Sequence, residues 1–175
     1  FARYQLFFGG MENTLETAHY YDIGVNSIRR RNHKRGHISQ SQIQEIDLKL
    51  QQAPAHKIKL IAAHPPFYTP PDHSHGVKDC PMLGRIALEQ WSQHGLNGLL
   101  HGHLHHAAVY DLNQIYQLGV SHPVLDIHAG TATSYRLHAG LPNSLNIILP
   151  NADVQHLSFN AETNHFELMQ QNTSD

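Results

Sequence analysis

Residues 99–106 read LLHGHLHH, and this stretch predicts both a strand end and a candidate site. Leu99 and Leu100 are apolar and end a predicted buried strand, and Gly102 permits a tight turn directly after it. His103 and His105 stand two positions apart, and on an extended backbone the side chains at i and i+2 point to the same side. The stretch therefore predicts two imidazoles that face one metal ion or two adjacent ions.

Histidine is unusually frequent in this chain, since its 17 histidines outnumber the 12 lysines and arginines together. Histidine is the most common ligand for transition metals. In a chain this rich in histidine, however, a pair such as His103 and His105 also arises by chance, and most histidines are expected to be solvated. His101 and His106, which flank the pair, are predicted to be exposed, and the alternative is that they hydrogen-bond to the metal ligands and orient them.

A second predicted strand end carries His64. Residues 57–63 (KIKLIAA) form a short, mostly apolar strand, and Pro65 and Pro66 follow His64. Proline restricts the residue before it to extended conformations. Ligands in open α/β sheets gather at the carboxyl ends of strands. One predicted helix separates the two strands, so His64 and His103 are expected to face one site.

The remaining pattern predicts an α/β fold with a β-rich C-terminal portion. Ser39 fits a helix N-cap and Gln42 completes a capping box, which predicts a helix that continues to about Gln52. A second helix is predicted at about 83–93. Strands are predicted at 19–28, 57–63, 97–100, 106–111, 114–118, 122–128, 144–149, 154–159 and 165–169, with a hairpin turn at 150–153. Alternating strands and helices followed by strands alone indicate an α/β layered sandwich, or an α+β fold if the layers segregate. Residues 1–175 contain no internal repeat and no linker, which favours a single domain.

Composition excludes several classes of protein. The net charge of −2 argues against a general binder of nucleic-acid duplexes, which usually has a strongly basic face. No apolar run approaches the roughly 18 residues of a membrane span. Cys80 is the single cysteine, so no internal disulfide is possible and a cytoplasmic location is the expectation.

Together, these residues resemble the calcineurin-like metallophosphoesterase family. The late motifs of that family are a strand-end histidine followed by proline and then GHxH, which here are His64 with Pro65 and residues 102–105. Residues 25–46 (VNSIRRRNHKRGHISQSQIQEI) and 128–149 (HAGTATSYRLHAGLPNSLNIIL) are similar to the flanks of these motifs in the branch close to cyclic-nucleotide phosphodiesterases. The resemblance implies part of a layered α/β/β/α metallophosphoesterase sandwich.

The resemblance also implies a chemistry. His64 and His103 would bind the second of two metal ions, and His105 would bind the first. The ions would be divalent or mixed-valence Mn, Fe or Zn, and would share an activated hydroxide that attacks phosphorus in line. The implied activity is metal-dependent hydrolysis of a small phosphate ester, with a phosphodiester expected and cyclic nucleotides and phosphomonoesters left open.

The chain departs from the family in its first half. The family motifs Asp-x-His, Gly-Asp and Gly-Asn-His are absent upstream of His64. Asp126 and His128 form an Asp-x-His, but this pair comes after GHxH and is expected to belong to a structural strand. The chain is therefore expected to be the C-terminal part of an incomplete domain and to be inactive alone. No catalytic residue is assigned, because the general-acid histidine would lie in the missing part.

Two alternative functions remain. In a metallo-β-lactamase motif, HxHxDH, an aspartate would stand where this chain has His105, so that reading is disfavoured. A non-catalytic metal-binding or structural β-rich domain is the stronger alternative, because half of the family's site is absent.

Overall fold

The computed structural model describes residues 2–10, 12–28, 35–71, 80–135, 137 and 140–169. Its helices are α1 (Ala2–Phe8), α2 (Gln40–Gln52), α3 (Gly84–Ser92) and α4 (Leu112–Tyr116). Its strands are β1 (Thr14–Glu16), β2 (Tyr20–Gly24), β3 (Ile58–Ala62), β4 (Leu96–His101), β5 (Ala108–Asp111), β6 (Leu125–His128), β7 (Ser144–Ile148), β8 (Val154–Asn160) and β9 (His165–Leu168).

The strands form two sheets. A six-stranded sheet has the order β1-β2-β3-β4-β6-β5, in which β2, β3, β4 and β6 run parallel and the edge strands β1 and β5 run antiparallel to their neighbours. The other sheet is the antiparallel meander β7-β8-β9. The predicted fold class, α/β with a β-rich C-terminal portion, is confirmed.

The hydrophobic core lies where α2 and α3 meet the larger sheet. Trp91 of α3 is fully buried, and its indole Nε1 donates a hydrogen bond to the Ile43 carbonyl of α2 at 3.0 Å. Its ring also packs at 6.0 Å from that of Phe67, measured between centroids. The apolar side chains buried in this core include Ile23, Ile43, Ile46, Leu50, Ile61, Ala87, Leu88, Trp91, Leu96 and Leu99.

The predicted N-terminus of α2 is confirmed in detail. Ser39 is the N-cap, and its hydroxyl accepts a hydrogen bond from the Gln42 amide at 3.2 Å. In return, the Gln42 side chain accepts from the Ser39 amide at 2.9 Å. Each bond satisfies an amide that has no partner within the helix. The helix ends before Ala53, which Pro54 forces into an extended conformation.

Replacing Ser39 with alanine is expected to lower the free energy of unfolding by about 1 kcal/mol, because the cap loses its acceptor. Urea denaturation followed by far-UV circular dichroism measures the change. Gln44→Ala is the matched control, since Gln44 lies on the exposed face of the same helix. Equal stabilities of the two variants would contradict the role given to the cap.

The strand predicted at 114–118 is wrong, because this segment lies mostly in helix α4. Asp111 is the N-cap and accepts from the Asn113 amide at 2.9 Å. Leu112 is fully buried, and Tyr116, four residues later, packs against the same core. That spacing is helical, but a run this short does not distinguish a helix from a strand by periodicity. Gln117 ends the helix with a left-handed φ of 53°.

Several predicted strands are shorter in the structure, and the strand predicted at 19–28 spans only Tyr20–Gly24. The strand predicted at 122–128 begins only at Leu125, and Pro123 lacks the amide hydrogen that a central strand needs. The strand predicted at 106–111 begins at Ala108, after the loop that holds the histidines.

The smaller sheet contacts the edge of the larger one at which β6 ends. Asn146 of β7 donates its side-chain amide to the His128 carbonyl at 2.8 Å, and the Ser144 amide donates to the Thr131 carbonyl at 3.1 Å. A Cβ at Gly130 would lie 1.8 Å from the Ser144 hydroxyl, so this close approach requires glycine. None of the helices in the described ranges is long and apolar enough to span a membrane.

Candidate metal centre

His64 and the GHxH loop lie at the same edge of the larger sheet. β3 ends at Ala62 and runs parallel to β4, which ends at His101. The amide of Ala63 donates to the Leu100 carbonyl at 2.9 Å and continues this pairing up to His64. The amide of His64 donates to the Ser27 hydroxyl at 3.1 Å, which ties it to the segment after β2. The predicted convergence of two strand ends is thus present.

The side chains of His64 and His103 meet. Nε2 of His64 lies 3.1 Å from Nδ1 of His103, with ring centroids 5.0 Å apart and the rings inclined by 80°. Two imidazole nitrogens bound to one tetrahedral zinc ion at ~2.05 Å are about 3.3 Å apart. The separation therefore fits either a hydrogen bond between the rings or a shared ion. His64 is exposed and His103 is half-buried, so solvent and ions can reach the pair.

The prediction that His103 and His105 lie on extended backbone is wrong. Their φ values are 65° and 56°, in the left-handed region. The amide of Leu104 donates to the Gly102 carbonyl at 2.7 Å across His103, and the Leu104 side chain is buried. This buried leucine anchors the loop between the two histidines. Residues other than glycine rarely adopt positive φ, and such residues cluster at functional sites.

His105 is held separately from the other two predicted ligands. Its Nδ1 lies 2.9 Å from the hydroxyl of Thr131. Thr131 is itself fixed, because its carbonyl accepts from the Asn143 side chain at 2.7 Å. Over the described ranges, only His101, Asp126 and His128 form a group of three potential ligands with mutual distances below 4.8 Å. His105 therefore stands apart from the pair of His64 and His103, as expected if it binds a different ion.

Thr131 is a residue of the site that the sequence did not single out. In the sequence it belongs to the segment after β6, and nothing in its spacing links it to His105. A partner on one ring nitrogen is common for a histidine that binds metal through the other. The hydroxyl holds Nδ1 of His105, so a metal ion at this side chain would bind through Nε2.

The environment of His64 favours its neutral form. His64 lies at the surface, but partial desolvation by the surrounding atoms still lowers its pKa, and the neighbouring His103, His101 and His105 lower that pKa further when they are charged. A neutral imidazole is the form that binds a metal. The neutral form of His64, which can bind a metal, is therefore favoured at neutral pH.

A second cluster lies buried beneath the loop and consists of His101, Asp126 and His128. Nε2 of His101 lies 2.9 Å from Oδ1 of Asp126, and Nε2 of His128 lies 3.0 Å from Oδ2. The side chains are 0%, 0% and 1% exposed in the order His101, Asp126, His128. The prediction that His101 is exposed is wrong, because β4 is a central strand and His101 pairs in register with His128 on β6. His106 is half-buried.

The buried cluster keeps its charge on Asp126. Burial alone would raise the pKa of Asp126, but the charges and hydrogen bonds of His101 and His128 outweigh this and hold that pKa below its usual value. Burial lowers the pKa of His128, and Asp126 offsets that effect only in part. The cluster therefore keeps Asp126 as a carboxylate and favours the neutral form of the His128 imidazole.

The free energy of unfolding is expected to fall as the pH is lowered from 7.5 to 5. The unfolded chain binds protons at His128 below a pKa of about 6.5, whereas the folded chain resists this. The unfolded state then carries more protons, so stability rises with pH, by at most about 1.4 kcal/mol per pH unit for this histidine. His64 and His156, whose pKa values burial also lowers, act in the same direction.

Urea denaturation at several pH values measures this dependence. His128→Asn should show a shallower slope than the unaltered chain, because it removes one of the groups that titrate. A stability that increases toward pH 5 would contradict the assignment.

Comparison with known proteins finds similarity among solved structures. No protein-family model and no curated protein matches the chain. The chain is similar to a crystal structure described as "Putative 5'-Nucleotidase from Staphylococcus aureus in complex with alpha-ketoglutarate", with 14% identity and a TM-score of 0.43 over 91% of this chain. The match covers 28% of that protein, so this chain spans little more than a quarter of its length. A similarity at this level carries no information about activity.

Proposed function

We propose that this chain supplies the imidazole side of a two-metal centre that hydrolyses a phosphate ester, with a phosphodiester as the expected substrate. One observation carries the proposal. His64 and His103, from the ends of adjacent parallel strands, bring two ring nitrogens to 3.1 Å. The order of the motifs, a histidine before proline and then GHxH, resembles the late motifs of calcineurin-like metallophosphoesterases.

The donor atoms suit transition metals. His64 and His103 would hold one ion and His105, oriented by Thr131, would hold a second. Imidazole ligands favour ions such as Zn and Fe, and Mn joins them when oxygen ligands are added. Two such ions activate water as a nucleophile and bind the oxygens of a phosphate ester. In this chain the histidines would hold and orient the ions.

Over the described residues, no compact group of three or more potential ligands combines a carboxylate with these histidines. Asp126 is the acidic member of the one compact group of potential ligands there, and its oxygens already accept hydrogen bonds from His101 and His128. Imidazoles alone leave the positive charge of two ions uncompensated. We therefore expect weak metal binding and no turnover by this chain alone. That residues 1–175 form one incomplete domain stays a prediction.

A cavity beside the segment that follows His64 has room for the ester group. Its volume is about 610 Å³, within the usual range for small-molecule sites. Phe67, Tyr68 and Tyr116 line it with aromatic surface, and Arg35 and Arg85 add positive charge. Such a lining suits a small phosphate ester with an apolar or aromatic group.

Isothermal titration of the full chain with Zn²⁺ and Mn²⁺ tests the proposal, together with an assay of bis(4-nitrophenyl) phosphate hydrolysis. Saturable binding that His64→Ala weakens, without turnover, is the expected result. Absence of binding would contradict the metal centre. Turnover comparable to that of an intact metallophosphoesterase would contradict the expectation that essential groups are missing.

A non-catalytic metal-binding domain is the second candidate, favoured because the family motifs Asp-x-His and Gly-Asp, which supply carboxylates, are absent upstream of His64. Orthovanadate, which mimics phosphate, distinguishes the two. A phosphoesterase centre loaded with Zn²⁺ should bind vanadate, and His64→Ala should abolish this binding. In a purely structural metal site, protein ligands fill every coordination position of the ion, so such a site should not bind vanadate.

A further inference from the structure

We infer that Asp126 is a positioning residue that fastens together the two loops carrying His64 and His103. The inference rests on the proposed function, because it concerns the same pair of histidines. Asp126 would act on this pair through the backbone segments on either side.

The carboxylate of Asp126 contacts both loops. Oδ1 accepts a hydrogen bond from Nε2 of His101 at 2.9 Å, and His101 directly precedes Gly102 of the GHxH loop. Oδ2 accepts from the amide of Tyr68 at 3.1 Å. Since a carboxylate only accepts, the nitrogen of His101 must carry the hydrogen. One side chain thus bonds to the start of one ligand loop and to the backbone that follows the other.

The connection from Tyr68 back to His64 is short and stiff. Pro65 and Pro66 lie between them, both buried, and proline fixes one backbone angle at each position. The amide of Tyr68 and the imidazole of His64 therefore move together. A shift of this backbone would change the 3.1 Å separation between His64 and His103.

Burial makes these hydrogen bonds effective. Asp126 is 0% exposed, and it lies on the central strand β6, where His128 donates a further hydrogen bond to Oδ2 at 3.0 Å. Charged hydrogen bonds in a low-dielectric interior are stronger than those at the surface. Loss of any donor would leave a buried charge undersatisfied, so the arrangement resists opening.

The same three side chains could instead be read as a metal site, since their donor atoms lie within 4.8 Å of one another. A metal bound to Nε2 of His101 and of His128 would place the ring hydrogens on Nδ1. Both Nδ1 atoms are buried and without a hydrogen-bond partner, so two buried donors would be left unsatisfied. With the hydrogens on Nε2, Asp126 keeps all three of its donors and only the two Nδ1 acceptors lack partners. The better account is therefore the hydrogen-bonded arrangement in which Asp126 joins His101 and Tyr68, called the clamp below.

The test compares Asp126→Asn with Ile46→Val in the full chain. In asparagine an NH₂ group replaces one of the two carboxylate oxygens, so at least one of the hydrogen bonds that Asp126 accepts is lost. His64 and His103 are unchanged in this variant. Zn²⁺ affinity is expected to fall about tenfold or more, as for other groups that orient metal ligands. Ile46→Val alters the core beneath α2 and should leave the affinity unchanged.

A second pair of variants is informative even if Asp126→Asn does not fold. His101→Gln keeps a nitrogen donor near the position of Nε2, whereas His101→Leu removes it. Zn²⁺ affinity close to that of the unaltered chain in His101→Gln, with a loss in His101→Leu, is expected. An equal loss of Zn²⁺ affinity in both variants would contradict the clamp and indicate that His101 itself binds the metal. Unchanged affinity in both variants would show that the hydrogen bond of His101 does not position the pair.

A metal-free readout separates failure of this inference from failure of the proposed function. Long-range ¹H–¹⁵N spectra of the imidazoles report the contact between His64 and His103 without any ion. Both ring signals should change in His101→Leu and not in Ile46→Val. Unchanged signals would overturn the clamp, whereas changed signals in a chain that binds no Zn²⁺ would support the clamp and contradict the metal centre.

Discussion

Replacing His103 with alanine is expected to lower the affinity of the chain for Zn²⁺ by about 100-fold or more. Removal of a side chain that merely orients a ligand costs ~10–100-fold, and direct loss of a ligand should exceed this. Nδ1 of His103 lies 3.1 Å from Nε2 of His64, so the variant leaves His64 with one partner fewer for a shared ion. Isothermal titration with Zn²⁺ measures the loss.

His165→Ala is the matched control for this experiment. His165 lies exposed on β9, in the smaller sheet, and is not among the predicted ligands. Its removal takes away one of 17 histidines without touching the pair. Equal loss of affinity in the two variants would mean that Zn²⁺ binds nonspecifically to surface histidines.

Replacing Trp91 with alanine is expected to lower the free energy of unfolding by about 3–5 kcal/mol. The indole is fully buried between α2, α3 and Phe67, and the smaller side chain would leave a cavity there. The variant also loses the hydrogen bond from Nε1 to the Ile43 carbonyl. Because a small domain has only ~5–15 kcal/mol of stability, a large part of the chain population is expected to unfold.

Trp91→Phe separates the two contributions. Phenylalanine keeps an aromatic ring in the core and loses the Nε1 donor, so a smaller destabilisation than that of alanine is expected. Urea denaturation followed by far-UV circular dichroism measures both variants. If alanine destabilised the chain no more than phenylalanine does, packing around Trp91 would not be the main source of stability.

The sequence predicts the framework of the site because local signals determine it. The capping box of Ser39 sets the start of α2, and apolar runs locate β3 and β4. Parallel strands joined through a helix present their carboxyl ends on one edge, which is how His64 and His103 come together. These conclusions require periodicity and capping but no knowledge of long-range pairing.

The buried cluster could not be predicted in the same way. His101 and Asp126 meet because β4 pairs with β6, and β5 with α4 lies between them in the chain. The sequence contains the Asp-x-His of residues 126–128, but only the register that places His101 opposite His128 shows that Asp126 contacts both histidines. A long-range pairing of this kind depends on the complete fold.

The conformation of the GHxH loop is a second feature that the sequence pattern does not predict. Alternating histidines favour an extended strand by periodicity, yet His103 and His105 have positive φ. The burial of Leu104 and the bonds to His64 and Thr131 outweigh the local preference. Tertiary contacts of this strength are not encoded in the spacing of the residues.

The most direct test of the metal centre is a Zn²⁺ titration followed by long-range ¹H–¹⁵N spectra of the imidazole rings. Nε2 of His64 and Nδ1 of His103 should shift together as the same ion binds. His101 and His128 should stay unchanged, because their Nε2–H groups keep donating hydrogen bonds to Asp126. Shifts at His101 and His128, with His64 and His103 unaffected, would contradict the account.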